Sequence, residues 1–431
     1  MSGSERAKFR ERLATHPSGG GVSFEVSRPH ILCHKTCIWE CTIGWASLAP
    51  ALAGRTRREC KERYVKYTFE RKAKMKKVTM KIIEDMFRNQ VRKDSKVKNA
   101  YLLVHSQKLD FHMNIAEGST GDMRANPQQP NYMASVGKLF TSTIISMLFE
   151  KGELSFGDSI SNYLDEELLN DLHIYKGKDY TNNIKIKHLL KQTSGLYDNF
   201  WPLLDKLLEE KEFNMSPREA IIWGKNNLKP YCPPGKKTKY TDTNYHLLGL
   251  IIENITGKPF HEVLKDYIFV PLGMENSSML NYSDPIKEYS YPIAHFSIDG
   301  TIGNDLKNYA GLDYAGGGVV ATNEDLLKFM NALVAGQIVS KDTLEKMKND
   351  STKLFFGIDY GYGIWQFRTI PVLLPGKYNC WGCVGATGAF MFYHPGLDAY
   401  LIGNFNDVSY KSKGLKFMIK VIKELLKVAD K

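Results

Sequence analysis

Met133-Ala134-Ser135-Val136-Gly137-Lys138-Leu139-Phe140-Thr141-Ser142-Thr143-Ile144-Ile145-Ser146-Met147-Leu148-Phe149 reads, from its first serine onward, as a helix over Ser135–Phe149. Gly152 stands in the C-cap position that stops it. Ser135 and Lys138 are three apart, so on a helix their side chains share one face, one turn from each other. Ser135 also stands at the positive end of the helix dipole, where a developing alkoxide is favoured. A lysine within reach takes the hydroxyl proton when burial or cationic neighbours lower its pKa. The pair therefore reads as a nucleophile and its base. The plain alternative is an N-cap serine followed by a surface lysine, because Ser-x-x-Lys arises by chance in long chains.

Outward from this stretch the chain carries further motifs. His188-Leu189-Leu190-Lys191-Gln192-Thr193-Ser194-Gly195-Leu196 comes first, then Pro234-Gly235 and Tyr240-Thr241-Asp242-Thr243-Asn244-Tyr245-His246. Thr256-Gly257-Lys258-Pro259-Phe260 follows, then Ala315-Gly316-Gly317-Gly318-Val319-Val320-Ala321-Thr322 with Asp325-Leu326, and Gly385-Ala386-Thr387-Gly388-Ala389-Phe390. In this order and at these distances they resemble the serine β-lactamase-like hydrolases. That superfamily includes class C β-lactamases, D-alanyl-D-alanine carboxypeptidases and related esterases and D-aminopeptidases. The resemblance covers about residues 80–428.

The resemblance implies that Ser135 is the acylated nucleophile, Lys138 its proton partner, and Tyr240 the phenol that relays protons to the leaving group. The family's third motif, Lys-Thr-Gly or His-x-Gly, falls on Cys383-Val384-Gly385. The backbone N–H groups of Ser135 and Ala386 would then form the oxyanion hole. Asp242, Cys383, Gly385 and Thr387 are the expected substrate contacts. Two positions depart from the pattern. Asp242 stands where many members have Asn, and a carboxylate near Lys138 favours the ammonium and opposes its service as a base. Cys383 replaces a Lys or His that in relatives binds a substrate carboxylate, and a thiol supplies no such charge. β-Lactams and free-carboxylate peptides are therefore expected to be poor substrates, with neutral esters or amides better. The same two departures support the rival expectation of a catalytically silent protein that uses the cleft for binding or scaffolding.

The secondary-structure reading agrees with that fold. A helix with Ile82, Ile83, Met86, Phe87 and Val91 on one face precedes strands at Asn99–Ser106 and Leu109–Ala116. Largely helical text runs to about residue 285. Strand-like runs return at Tyr362–Arg368, Ala389–His394 and Ala399–Phe405, the last two joined by Pro395-Gly396-Leu397-Asp398. A closing helix spans Lys413–Ala429, with Phe417, Met418, Val421, Ile422, Leu425 and Leu426 inward. The expected class is α/β (α+β): one antiparallel sheet completed by the two chain halves, flanked by the terminal helices, with an inserted helical lobe. The loops Tyr197–Asp205 and Tyr282–Ile302 are the expected pocket walls.

Composition separates the two ends of the chain. Of 431 residues, 43% are hydrophobic and 24% charged, the balance of a globular protein. Residues 1–78 hold 17 of the 58 Lys and Arg but only 7 of the 47 Asp and Glu. The basic excess thus belongs to the first segment, and no nucleic-acid partner is expected for the catalytic body. The reading divides the chain into a basic, unstructured extension over 1–77, ending in the Lys/Arg-dense run Arg55–Lys77, and a hydrolase domain over 78–431. Met75 and Met80 near that boundary allow a later translation start.

Other features in the chain have plainer readings. Cys33, His34, Cys37, Cys41 and Cys60 lack the Cys-x2-Cys knuckle usual for zinc. Ile38–Ala53 ends like a signal-peptidase site, but Glu40 and Pro50 interrupt its apolar core, so the cytoplasm is favoured over secretion. No apolar run is long enough for a spanning helix. Cys380-Trp381-Gly382-Cys383 has thioredoxin-like spacing, yet it precedes an antiparallel hairpin rather than lying in a βαβ unit. Gly316-Gly317-Gly318 lacks the Gly-Lys-Ser/Thr of a phosphate loop and fits close backbone packing. No metal or other cofactor is expected. The expected partner is a small-molecule or short-peptide substrate, with the oligomeric state open.

Overall fold

The computed structural model describes residues 57–210, 212–370 and 375–429. A nine-stranded antiparallel sheet runs through it. Its strands are β1 (Asn99–Ser106), β2 (Phe111–Thr120), β3 (Met123–Arg124), β4 (Thr352–Phe355), β5 (Ile358–Tyr360), β6 (Trp365–Phe367), β7 (Trp381–Val384), β8 (Phe390–His394) and β9 (Ala399–Asn404). The spatial order is β4-β5-β6-β7-β8-β9-β1-β2-β3, so the two chain halves join where β9 pairs with β1, Leu103 opposite Ile402. Both faces of this centre are covered. In β1, Ala100, Leu102 and Val104 pack toward one core and Leu103 toward another; in β9, Leu401 and Ile402 divide the same way. That two-sided burial is why these strands read as continuous apolar runs rather than alternating ones.

Helices α1 (Arg57–Arg92), α2 (Gly137–Glu150), α3 (Thr243–Thr256), α4 (Asn323–Ala335) and α5 (Lys411–Ala429) are the principal ones. α1 and α5 lie together on one face, where the ring of Phe87 stands 6.1 Å from that of Phe405 and 6.0 Å from that of Phe417. All six expected inward residues of α5 are buried. On α1 the stripe is Ile83, Phe87 and Val91, at intervals of four. Ile82, expected on the inward face, is 38% exposed, because it sits about 100° around the helix from Ile83. The opposite face of the sheet carries the helical lobe, with α2 and α3 in its core.

The boundary expected after residue 77 falls inside α1, which starts twenty residues earlier, at Arg57. Arg, Lys, Glu and Ala are good helix formers, but this stretch has no apolar stripe to reveal a period. The first buried side chain described on α1 is Thr79. Residues 1–56, with Cys33, His34, Cys37, Cys41 and the Ile38–Ala53 stretch, lie outside the described residues, as does the side chain of Cys60. Among the described residues, no helix is long and apolar enough to cross a membrane.

Candidate active site

Ser135 lies in a single 3₁₀ turn, Ala134–Val136, that runs straight into α2. Ala134 enters the turn with φ +48°, a left-handed conformation that costs a non-glycine residue roughly 1 kcal/mol. The turn is held from outside: Met133 N–H donates to Val319 O at 3.0 Å, tying it to a small sheet of Asn131–Tyr132, Ser277–Met279 and Val319–Ala321. The helix expected to start at Ser135 thus begins two residues later, and its N-cap is Val136. The plain alternative fails on both counts. Ser135 is not the cap of α2, and Lys138 is 0% exposed rather than at the surface.

Lys138 Nζ donates to Ser135 Oγ at 3.1 Å, to Asp242 Oδ1 and to the carbonyl of Gly316. Three acceptors match the three N–H bonds of an ammonium. The rings of Tyr240 and Tyr245 lie 5.2 and 5.3 Å from the same nitrogen, an additional attraction for a cation. Burial pulls the lysine pKa down, but the carboxylate of Asp242, with Asp313 behind it, outweighs that penalty and the net shift is upward. Lys138 therefore rests charged. Tyr240 has its hydroxyl against that of Ser135 and rests as a neutral phenol, because burial, then Asp242 and Cys383, raise its pKa well above the usual value.

Tyr240 and Asp242 lie on the loop entering α3, and Asp242 is that helix's N-cap residue. Gln192 braces the loop. Its carbonyl accepts from Lys239 N–H at 2.8 Å, and its side-chain oxygen accepts from Thr241 N–H at 3.0 Å and Asn244 Nδ2 at 2.6 Å. Ser194 Oγ adds a bond to Asn244 Oδ1 at 2.6 Å. The Gln192-Thr193-Ser194 stretch thus positions the phenol of Tyr240 rather than touching Ser135. Opposite, Gly316-Gly317-Gly318 packs backbone to backbone on α2: a Cβ on Gly137 would lie 1.9 Å from Gly317 O. This is the close packing expected for the glycine run.

On the sheet side, β7 ends beside Ser135. A Cβ on Gly385 would lie 2.4 Å from Met133 O and 3.0 Å from the Cβ of Ala134. Only a glycine lets the β7–β8 connection approach the serine turn this closely. Gly385→Ala is expected to push the two apart and lower kcat by about 10–100-fold, because a shift near 1 Å costs that much in an aligned site. Steady-state kinetics on an ester, with circular dichroism to verify the fold, measures it; unchanged kcat would contradict the packing argument. Ala386, the next residue, lines the cavity with Ser135, and its N–H donates to no acceptor among the described residues.

Two of the four expected substrate contacts do not reach the cavity wall. Cys383 is 0% exposed; its thiol donates to Ser135 O at 3.2 Å, and burial pushes its pKa up to about 12, so it is neutral. Thr387 is turned inward, donating to Asn404 Oδ1 at 3.0 Å while its carbonyl accepts from Asp407 N–H. Asp242 and Gly385 do line the cavity. Cys380 and Cys383 are both unpaired and face opposite cores, as residues three apart on extended chain must, so the thioredoxin-like reading fails.

The cavity measures about 660 Å³, a size suited to a small molecule. Phe200, Trp201, Tyr231, Phe355 and Trp365 form much of its wall. The segment from Tyr197 contributes as expected, but Tyr282–Ile302 does not; the stretch 228–231 and strands β4 and β6 take its place. Sequence reasoning missed two acids on this wall. Asp198 lies on the expected wall loop Tyr197–Asp205, just after the His188–Leu196 motif, without being singled out there, and Asp313 precedes the glycine run. Asp313 Oδ2 accepts from Tyr132 OH at 2.5 Å and from Gly318 N–H, and burial pushes its pKa up to about 6. Among the described residues, no cluster of His, Cys, Asp or Glu suits a metal ion.

Comparison with known proteins bears on the family and the fold. The family model described as Beta-lactamase matches residues 98–415. The protein named PbpX of Bacillus subtilis (strain 168) is 28% identical over 241 residues, 54% of this chain and 54% of that protein. The chain thus matches about half the length of that curated relative. Among solved structures, the D-amino acid amidase of Ochrobactrum anthropi SV3 superposes with a TM-score of 0.66 at 20% identity, covering 82% of this chain and 98% of the amidase. EstCE1, described as a hydrolase with promiscuous acyltransferase activity, gives a TM-score of 0.66 at 16% identity over 81% of this chain and 99% of its own. Both share the fold.

Proposed function

The chain belongs to the beta-lactamase family, and on that premise we propose that it is a serine hydrolase acting through an acyl-enzyme on a small ester or amide. One observation carries the reading: Ser135 Oγ lies 3.1 Å from the Nζ of a wholly buried Lys138 and against the Tyr240 hydroxyl, on the wall of a cavity sized for a small substrate. With Lys138 already protonated and Tyr240 neutral, the proton path is a relay. As Ser135 Oγ attacks the carbonyl carbon, its proton passes to the Tyr240 oxygen and the phenol's own proton passes to the leaving group. Lys138 stays charged and stabilises the growing negative charge on Oγ. The N–H groups of Ser135 and Ala386 receive the oxyanion. Water then repeats the relay in reverse, delivering its proton through Tyr240 to Oγ as the acyl bond breaks.

Cys383 places no cation beside the nucleophile, so a substrate carboxylate finds no partner there. A p-nitrophenyl ester is expected to show a burst approaching one equivalent per chain, and a penicillin little turnover. Stopped-flow absorbance tests this; equal rates on the two substrates would contradict the role given to Cys383. A second reading rests on the saturated Lys138: a lysine held charged by Asp242 suits a cleft that binds without turnover. A well-folded protein with no burst would favour it.

A further inference from the structure

Exposed aromatic rings gather at one place on this molecule. Among the described residues five Phe, Tyr and Trp side chains are exposed, and four of them are Trp201, Tyr231, Phe355 and Phe356. The first three line the mouth of the cavity, and Phe356 directly follows the third; the fifth ring, Tyr67, lies far off on α1. Phe356 is 73% exposed, more than any other large apolar side chain described. With Gly357, at φ +75°, it makes the two-residue turn of the β4–β5 hairpin, which is the edge of the nine-stranded sheet. Phe355 pairs with Ile358 across that turn, and its ring stands 5.9 Å from that of Trp365. The tip is thus braced on its cavity side while Phe356 is left to water. A lone exposed apolar side chain is ordinary, but a cluster of large rings marks an interaction surface.

The exposed charge beside these rings is of one sign. Lys229, Lys239 and Lys411 line the same mouth and are exposed, and Lys236 and Lys237 are exposed on the loop that joins the first two. None of the five forms an ion pair among the described residues. Lys239 instead lies over the Tyr231 ring at 4.6 Å and Lys411 over the Trp201 ring at 5.4 Å. The three acids of the cavity wall, Asp198, Asp242 and Asp313, are buried or half-buried and do not offset this rim. Unpaired lysines interleaved with aromatic rings suit a bilayer interface, where rings lie at headgroup level and ammonium groups meet anionic phosphates. We propose that this rim is a peripheral docking surface for an anionic phospholipid bilayer, with the Phe355-Phe356 tip among the headgroups and the five lysines around it on the lipid phosphates. A second copy of the chain fits less well, because it would set lysine against lysine. Single-stranded nucleic acid calls for rings and cations along a groove, whereas here they ring an opening beside an exposed hairpin tip. Docking does not depend on acylation of Ser135, so a hydrolase and a silent binding protein would both show it.

The test is co-sedimentation of the full chain with vesicles of phosphatidylcholine, alone or with about 30% phosphatidylserine, the anionic component that attracts surface lysines. Partitioning is expected to be about tenfold or more stronger on the anionic vesicles, and to weaken severalfold as NaCl rises from about 0.1 to about 0.5 M. Phe356→Ser, off the cavity wall, is expected to lower it about tenfold through lost apolar burial, and Lys236→Glu/Lys237→Glu by a similar factor with a shallower salt dependence. Circular dichroism verifies that each variant is folded. A second readout locates the contact: phosphatidylcholine with brominated acyl chains, mixed into the anionic vesicles, should quench part of the tryptophan emission, and Trp201→Phe, which keeps a ring at the rim, should remove that part. Equal partitioning on neutral and anionic vesicles would overturn the proposal. Binding that both rim variants keep in full, with quenching unchanged in Trp201→Phe, would assign the affinity to another face, such as the basic run Arg55–Lys77, and would overturn it too. So would a single-stranded RNA oligonucleotide that binds the wild type and not the rim variants while the vesicles bind neither.

Discussion

Ser135→Ala is expected to lower ester turnover by roughly 10⁴-fold or more while leaving the protein folded. The loss is large because, among the described residues, Ser135 is the only serine or threonine lining the cavity where Lys138 Nζ, Tyr240 and the Ala386 N–H converge. The stability change is small by comparison. Ser135 lies on the cavity wall, and its removal leaves Lys138 two acceptors, Asp242 and Gly316, so a change within about 1 kcal/mol is expected. Burst kinetics and urea unfolding on the same preparation separate the two quantities. A variant that retains more than a tenth of wild-type turnover would mean that another residue is acylated.

Lys138→Met is expected to damage both activity and stability. The ammonium beside Oγ stabilises charge that develops in the transition state, and losing it should cost about 10³-fold in kcat/KM. It is also the partner of Asp242, which is 7% exposed. Removing one member of a buried pair leaves the other carboxylate uncompensated, at a cost of about 3 kcal/mol. The second change Asp242→Asn removes the stranded charge, so Lys138→Met/Asp242→Asn should recover most of the stability and none of the activity. Urea midpoints of the two single variants and the double variant form the cycle that measures this coupling. Additive stability losses would show that the pair is not coupled, contrary to the geometry.

Local chemistry made much of this architecture legible in the sequence. The central strands and α5 carry apolar periods that two-sided or one-sided burial requires, and they lie where those periods put them. The Ser135, Lys138 and Tyr240 constellation was readable from motif order, because backbone features such as the Gly385 approach need particular residues at particular places. What escaped was set by tertiary context. The early turns of α1 have helix-forming residues but no apolar period in their sequence, so nothing announces them. Whether Cys383 and Thr387 meet substrate depends on which way a strand end and a tight turn direct the side chains, and motif spacing does not encode that. Asp198 and Asp313 are single acids on loops, and only the fold gathers them around Lys138.

The most direct test of the central claim is the intact mass of the protein after incubation with a fluorophosphonate, followed by peptide mapping. A single adduct on Ser135, absent in Ser135→Ala, is the predicted result. A folded protein that takes up no label, or takes it up on another residue, would contradict the claim that Ser135 is the nucleophile.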